Sequence, residues 1–446
     1  MLEKEEALPL AHRALEAAKA DEAEVLLVSR RVEFVRFASG LPTQNGSVEE
    51  VDLAIRVRVG GREGKASVSS AEEGEIRGAA ERALACARGR PPDPDLLPFP
   101  GPAAYVSKNA FAQDTARHSF TAKAAAIGSA AEVARERNLR ASGLFRTAAT
   151  STTLLNSRGC AAHHASTRAS FAVTSVSEDS EGWSETVHHD VARLEARAVA
   201  ARAAEKAALG RVPRDLTPRR VRVILEPAAV ANLLFFAGTH AFGARSVEEG
   251  ASFLAGRLGE RVLDPRITIE DDVFHPLHIG TPFDGEGVPT RRVALVEAGI
   301  ARSVVHDRRS AARSGATSTG HALPQPNERG PLPSHLLLGG GDVTVEEMVR
   351  ASKEAVLVSR IHYANLIDPR TLTITGMTRG GTFHVRDGAL AYPVRNLRFT
   401  ESLVGALSRV VSIGRGRELV EAFFGGDFVV PPLALEDFAF TSATSF

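Results

Sequence analysis

The feature that most limits how this chain can fold is the run Val51–Val59, VDLAIRVRV, which alternates apolar and polar residues and ends at Gly60-Gly61. A period of two marks a strand with one buried and one wet face. The Gly-Gly pair turns the chain, so Lys65–Val68 should return beside it as an antiparallel partner. Helical spacing flanks this hairpin on both sides. Leu8, Ala11, Leu15 and Ala18 lie on one face of a helix over Glu6–Ala20, and Ala71–Arg88 forms a second helix, stopped by Gly89 and Pro91-Pro92. Between them, Ala23–Arg30 and Arg31–Phe37 read as two strands, with Gly40 and Pro42 marking a turn. Helices around an antiparallel sheet define an α+β domain.

The rest of the chain divides on proline and on a change of pattern. Pro91–Pro102 reads as a linker. Helical spacing follows over Asp114–Arg137, strands over Gly143–Leu155 and Thr167–Val176, and Asp190 reads as the N-cap of a helix that ends near Gly210. Arg211–Arg220 is a second linker, which places an N-terminal α+β domain over 1–212 and a C-terminal domain over 213–446. The second domain reads as β-rich and barrel-like. Its expected strands are Val221–Leu225, Thr371–Thr375, Gly381–Val385 and Leu390–Val394. A helix begins at Pro227, and Gly339-Gly340-Gly341 turns the chain before another near Thr344. No internal repeat is visible.

Composition excludes several function classes. The 446 residues carry 54 Lys and Arg against 54 Asp and Glu, without the basic surplus expected of a nucleic-acid binder. Cys86 and Cys160 cannot build a disulfide framework or a CxxC site. The longest apolar stretch, Ala228–Gly238, is interrupted by Asn232 and is about half the ~20 residues a membrane span needs. With no apolar signal core behind Met1, the expected setting is the cytoplasm, without nucleic acid or membrane as partner.

The second half carries strings that together resemble the TldD/PmbA metallopeptidase family. Asp284-Gly285-Glu286-Gly287-Val288-Pro289-Thr290 resembles its acidic turn, and Val296-Glu297-Ala298-Gly299-Ile300 the hairpin that follows. Ala312-Arg313 with Ser318-Thr319-Gly320-His321-Ala322 resembles the "A-R … S-T-G-H-A" stretch of the PmbA (TldE) branch. Pro333-Ser334-His335-Leu336 through Asp342, and Gly380-Gly381 through Tyr392-Pro393-Val394, resemble two further family segments. The first half agrees more loosely, at Arg36–Ala38, Leu53–Val59 and Gly64–Ser67.

Active, TldD-type members of this family are zinc peptidases with an H-E-x-x-x-H helix and a later cysteine. Zinc hydrolysis needs about three protein ligands, an open position for water and a carboxylate to take its proton. In this chain the matching helix, within 227–240, has Phe235 where the first His would stand and Phe236 in place of the catalytic Glu. Only His240 remains, and no cysteine follows Cys160. Phenylalanine neither binds zinc nor moves a proton, so neither a catalytic residue nor a metal is expected in this chain. The resemblance therefore implies a non-catalytic TldE/PmbA-like subunit. It would work with a TldD-like subunit that holds the zinc and cuts unfolded or leader peptides, or form a homodimer.

Ser318, Thr319, Gly320 and His321 are expected to line a substrate channel or face a partner. His163-His164 and His188-His189-Asp190 are adjacent on strands and point to opposite faces, unsuited to one metal. His275-Pro276-Leu277-His278, with Asp271-Asp272 nearby, has a spacing that metals tolerate. The alternatives are a stand-alone peptide-binding or regulatory protein, and an independent hydrolase built on one of these His clusters. The family also bears the name modulator of DNA gyrase, which the neutral charge argues against as a nucleic-acid role.

Overall fold

The computed structural model describes residues 1–443. Its first elements are α1 (Lys4–Ala17), β1 (Glu22–Ala38), β2 (Leu41–Val59), β3 (Arg62–Val68) and α2 (Glu73–Arg88). They are followed by α3 (Gln113–Ala116), α4 (Phe120–Arg135), β4 (Arg140–Asn156), β5 (Ala161–Val176), β6 (Glu181–His188) and α5 (Ala196–Leu209). The six strands form one antiparallel sheet in the order β3-β2-β1-β4-β5-β6.

That order is symmetric about the β1–β4 pair: helix, three-stranded meander, helix occurs twice. The duplication was invisible in the sequence because it is one of topology. One physical trace is shared. Gly64 on edge strand β3 and Gly182 on edge strand β6 each lie under an alanine-rich helix, where a Cβ would overlap the Ala83 and Ala203 carbonyl oxygens respectively. Ala79, Ala80, Ala83 and Ala87 of α2, and Ala200, Ala203, Ala204 and Ala207 of α5, are buried against the sheet. Small residues on both sides let helix and strand approach closely.

β1 is one strand where two were expected. The inward side chains Ala23, Val25, Leu27, Ser29, Glu33, Val35 and Phe37 keep one phase throughout. Arg30 and Arg31 stay in register with Glu50 and Glu49, so nothing breaks the ladder. Glu33 faces inward because the fully buried Lys123 of α4 meets it at 3.2 Å. The helix expected over Asp114–Arg137 is divided into α3 and α4, and Ser119 caps α4 by accepting from Ala122 N at 3.1 Å. Asp190 caps the single 3₁₀ turn Val191–Arg193, and α5 starts later.

The second half contains β7 (Arg220–Leu225), α6 (Pro227–His240), α7 (Ala244–Glu248), β8 (Ile269–Asp271), β9 (Val293–Glu297), β10 (Ile300–Ala301) and α8 (Arg308–Ser314). Next come β11 (Leu336–Leu338), α9 (Val345–Arg350), β12 (Glu354–Asp368), β13 (Thr373–Arg386), β14 (Ala389–Pro393) and β15 (Leu397–Ser402). The chain finishes with α10 (Leu403–Leu407), β16 (Val410–Ile413), β17 (Glu418–Glu421), β18 (Asp427–Val430) and β19 (Leu433–Ala443). Strands β12-β7-β19-β15-β13 close into a barrel because β12 also pairs with β13. A second sheet runs β10-β9-β8-β11-β18-β17. The fold is therefore α+β, with a sheet-and-helix first half and a β-rich, barrel-containing second half.

β12 escaped the sequence reading, and β13 is continuous where two short strands were expected. Gly380 and Gly381, at φ +71° and +128°, sit inside β13 near a register shift opposite Val358–Arg360. Glycines that read as turn signals here mark a bulge. The segment 91–112 is tied down: Phe99 is buried, with the Arg58 guanidinium 3.8 Å from its ring centroid.

The glycine–alanine contacts give a direct test. Gly182→Ala should destabilise the protein by about 1–3 kcal/mol in urea unfolding, through overpacking against α5. Gly128→Ala, in α4 where a Cβ meets nothing within 4 Å, should stabilise it by about 0.5–1 kcal/mol.

Candidate functional site

The helix expected to carry the degenerate zinc motif is α6. Pro227 starts it, needing no N–H partner there, and the N-cap Glu226 is paired with Lys206 of α5 at 2.5 Å. Ten of its fourteen residues are buried, so it is apolar on every side. Asn232 is its buried polar exception. The Asn232 Nδ2 donates to Ala228 O at 2.7 Å, and its Oδ1 accepts from Phe423 N at 2.9 Å. That second bond anchors the tip of the β17–β18 hairpin on the helix.

Aromatic rings complete the anchor. Phe424 stacks on Phe235 with centroids 5.5 Å apart and meets Phe236 edge-on at 6.0 Å, while Phe235 and Phe236 are themselves 5.3 Å apart. Phe423 packs against His362 at 4.5 Å. Phe236 is 5% exposed, whereas Phe423 and Phe424 remain 57% and 47% exposed. The array is thus an aromatic surface rooted in the core. His240 ends α6 half-buried, and burial, followed by the nearby positive charge of Arg329, holds its pKa below the ordinary range. Zinc does not fit these residues: the two motif positions present apolar rings, and Phe424 stacks directly on them.

The base of the same hairpin reaches the N-terminal sheet. Glu421 accepts from Arg146 at 2.7 Å and Arg168 at 2.9 Å, and Asp427 receives a fork from Arg168 at 2.6 and 2.8 Å. Sequence reading missed these four residues and the Phe423–Phe424 pair. Arginines on strands carry no signal in an arginine-rich chain, and the contacts join residues more than 250 positions apart.

The Ser318–His321 segment is a tightly bonded loop. Thr319 Oγ1 donates to His306 O at 3.0 Å, and Gly320 takes φ +73° with its Cα against Pro289. His321 is buried between Thr319 Oγ1 and Asp271 Oδ1, each at 2.9 Å from a ring nitrogen. Asp271 also accepts from His335 N at 2.7 Å. Burial alone would raise the Asp271 pKa, but the charge and hydrogen bond of His321, with His335, hold it far below the usual carboxylate range.

The other histidine clusters named from the sequence take three arrangements. His163 is half-buried and bonded to Thr153 at 2.8 Å, while His164 points to the opposite face of β5. His188 and His189 differ from expectation: their rings stack at 4.4 Å, because β6 ends at His188 and strand alternation stops there. His275, His278 and His335 line up at 6.1 and 5.5 Å between centroids. Asp271 is committed to His321 and His335, and Asp272 caps its own turn by accepting from Phe274 N. Among the described residues, no three His, Cys, Asp or Glu side chains are grouped to hold a metal. No helix among them is long and apolar enough to cross a membrane.

A duplicated six-stranded sheet is thus joined to a small barrel, with α6 enclosed in the second half. Residues 218–442 match the PmbA/TldA metallopeptidase C-terminal domain and residues 23–87 match PmbA/TldA metallopeptidase domain 1, so the chain belongs to the PmbA/TldD family. It is similar to the Haemophilus influenzae metalloprotease PmbA homolog, 28% identical over 385 residues, 81% of this chain and 80% of that one. The alignment to metalloprotease PmbA of Escherichia coli O157:H7 is 28% identical and spans about half of each protein, 49% and 48%. The fold matches TldE from Thermococcus kodakarensis with a TM-score of 0.87 at 20% identity, covering 97% of this chain and 99% of that one.

His278 offers a pH test. It is 1% exposed, and neither ring nitrogen has a hydrogen-bond partner. Burial, reinforced by His335, pushes its pKa from 6.5 down to about 3. The unfolded chain therefore takes the proton first, and stability is lost as pH falls from about 6.5 towards 3. His278→Phe should keep the fold and reduce the stability lost between pH 6.5 and 5 by about 1–2 kcal/mol, read from urea midpoints at the two pH values.

Proposed function

We propose that this chain is the non-catalytic, TldE-like subunit of a zinc peptidase assembly. A TldD-like partner would carry the metal and cleave unfolded or leader peptides, while this chain shapes the substrate chamber and stabilises the partner. The observation that carries the reading is the replacement of ligand and base by Phe235 and Phe236, with Phe424 stacked over them. The fold likeness to a protein named TldE supports it. So does the exposure of Phe423 and Phe424, since apolar rings left in water are suited to be covered by another chain. The setting that fits this reading is the cytoplasm.

The test is metal analysis and peptide cleavage on the purified chain, alone and co-expressed with an H-E-x-x-x-H chain. The chain alone should contain no stoichiometric zinc and cut nothing. The co-expressed pair should purify together, with zinc and cleavage of an unstructured peptide. Stoichiometric zinc with cleavage by the chain alone would overturn the proposal. So would failure of the two chains to co-purify.

A further inference from the structure

The β1–β2 hairpin runs on past β3 and leaves a long sheet edge without a neighbour. β2 pairs with β1 from Leu41 to Arg58, but with β3 only from Leu53 to Val59. Over residues 44–51 its second side faces no strand, and among the described residues no backbone hydrogen bond reaches it there except across the ladder to β1. Of residues 41–50, all but Gly46 are exposed. Alternate residues of an antiparallel strand turn their N–H and C=O to opposite sides. The Arg58 carbonyl accepts from Asp21 N on the β1 side, and the register holds without a shift from Arg58 to Gln44. Even-numbered residues therefore bond to β1, and Asn45, Ser47, Glu49 and Val51 present their backbone groups outward.

The usual protections are missing from this edge. Strand edges are blunted by proline, lysine, bulges or brevity. Here Pro42 and the register shift between Arg36 and Phe37 both sit at the turn end, and no lysine lies between them and Val51. The acidic groups are answered within the chain. Glu49 lies 3.7 Å from Arg31, Glu50 stands opposite Arg30, and Asp52 accepts from Ser69 Oγ at 2.7 Å. What remains is a strip of unpaired backbone, and the partner for such a strip is another strand.

Which strand it takes is set by the outer face of the hairpin. Val48 is 43% exposed, and its register partner Val32, with Phe34 two residues on, is only partly buried. Phe34 stands opposite Gly46, and its ring lies 2.8 Å from the place a Gly46 Cβ would take. The sheet edge cuts this apolar patch off. A second copy of the hairpin, antiparallel about Gly46, completes it: glycine faces glycine, and the two Phe34 rings come side by side over the pair. In that register Asn45 meets Ser47, and each chain's Glu49 and Glu50 meet the uncharged Thr43 and Pro42 of the other, so no like charges are opposed. A lone extended peptide would supply backbone but no second ring. We infer that two copies of this chain pair along residues 44–51 of β2, joining their six-stranded sheets into one continuous sheet. The inference goes beyond the subunit reading and does not depend on it.

Light scattering on the full chain during size exclusion should give twice the 47.4 kDa mass of one chain. Ser47→Pro removes one outward N–H and puts a ring in the way while leaving the ladder to β1 intact. It should weaken self-association by about tenfold or more and elute as a monomer at the same concentration. Ser47→Ala keeps the N–H and should remain a dimer. Far-UV circular dichroism checks that all three proteins are folded. If the proline disturbs the fold, Asn45→Lys combined with Ser47→Lys replaces it, since that pair sets lysines directly opposite one another across the join. A monomeric wild-type chain, or a dimer that survives these edge substitutions, would overturn the inference. The measurement uses the chain alone, so its outcome is separate from whether a zinc-bearing partner co-purifies.

Discussion

A helix that is apolar on every side has no face to give to water, and the rest of the second half is arranged around that constraint. Ten buried residues of α6 must be enclosed by something other than a single sheet. The barrel strands β7, β12 and β19, the second sheet through Leu336 and Phe428, and the β17–β18 hairpin all contribute to the same cluster as α6. Gly238 marks how close the enclosure is, for a Cβ there would stand 2.8 Å from the Leu336 side chain. Phe235 and Phe236 carry the core outward from this helix, and Phe424 extends it by packing on both rings.

The hairpin over that helix is one of the links between the halves, beside the Lys206–Glu226 pair. Its tip is fixed by Asn232 and Phe235, and its base by Arg146 and Arg168 of the sheet. The two ends differ in physical character. The tip is held by ring stacking and one backbone hydrogen bond, which are insensitive to salt. The base is held by charge-assisted hydrogen bonds among partly exposed groups, with Arg168 forked onto Asp427, a geometry stronger than a lone surface pair but still open to screening.

What was legible in the sequence was whatever repeats locally. The Val51–Val59 strand, the Gly60-Gly61 turn, the Pro227 start of α6 and the helix start near Thr344 each need only a few neighbouring residues, and each is present, although Arg56 and Arg58 on the face expected to be wet are buried in ion pairs. The α+β class and the barrel-like second half followed from the same signals. Long-range features were not legible. β12 reads poorly because its outer half alternates around a residue at positive φ, Tyr363, and the bulges of β13 contain the very glycines that suggest turns. The duplication of the first sheet left only two glycines under alanine-rich helices as its trace. At the candidate site, Phe235, Phe236 and His240 were marked by resemblance, whereas the Arg–Glu–Asp cluster has no sequence pattern at all.

Strongly shifted carboxyl groups often point to chemistry, and this chain has them at Asp284 and Glu286, raised to about 6 and about 7. Their surroundings argue for a structural origin. Burial is the first cause for both. Asp284 accepts from the backbone N–H groups of Glu286, Val288 and Ala322, each at 2.9 Å, so it closes its own turn and pins the loop that carries His321. Glu286 accepts from Arg308 N at 3.3 Å, which ties the same turn to α8. A general acid or base must aim its proton at a reacting group, whereas the hydrogen bonds of these two carboxyls run to backbone amides. Their raised values record the cost of burying a turn between the two halves. Asp284 satisfies three amides at once, and burial still outweighs those bonds, which is why its pKa stays raised.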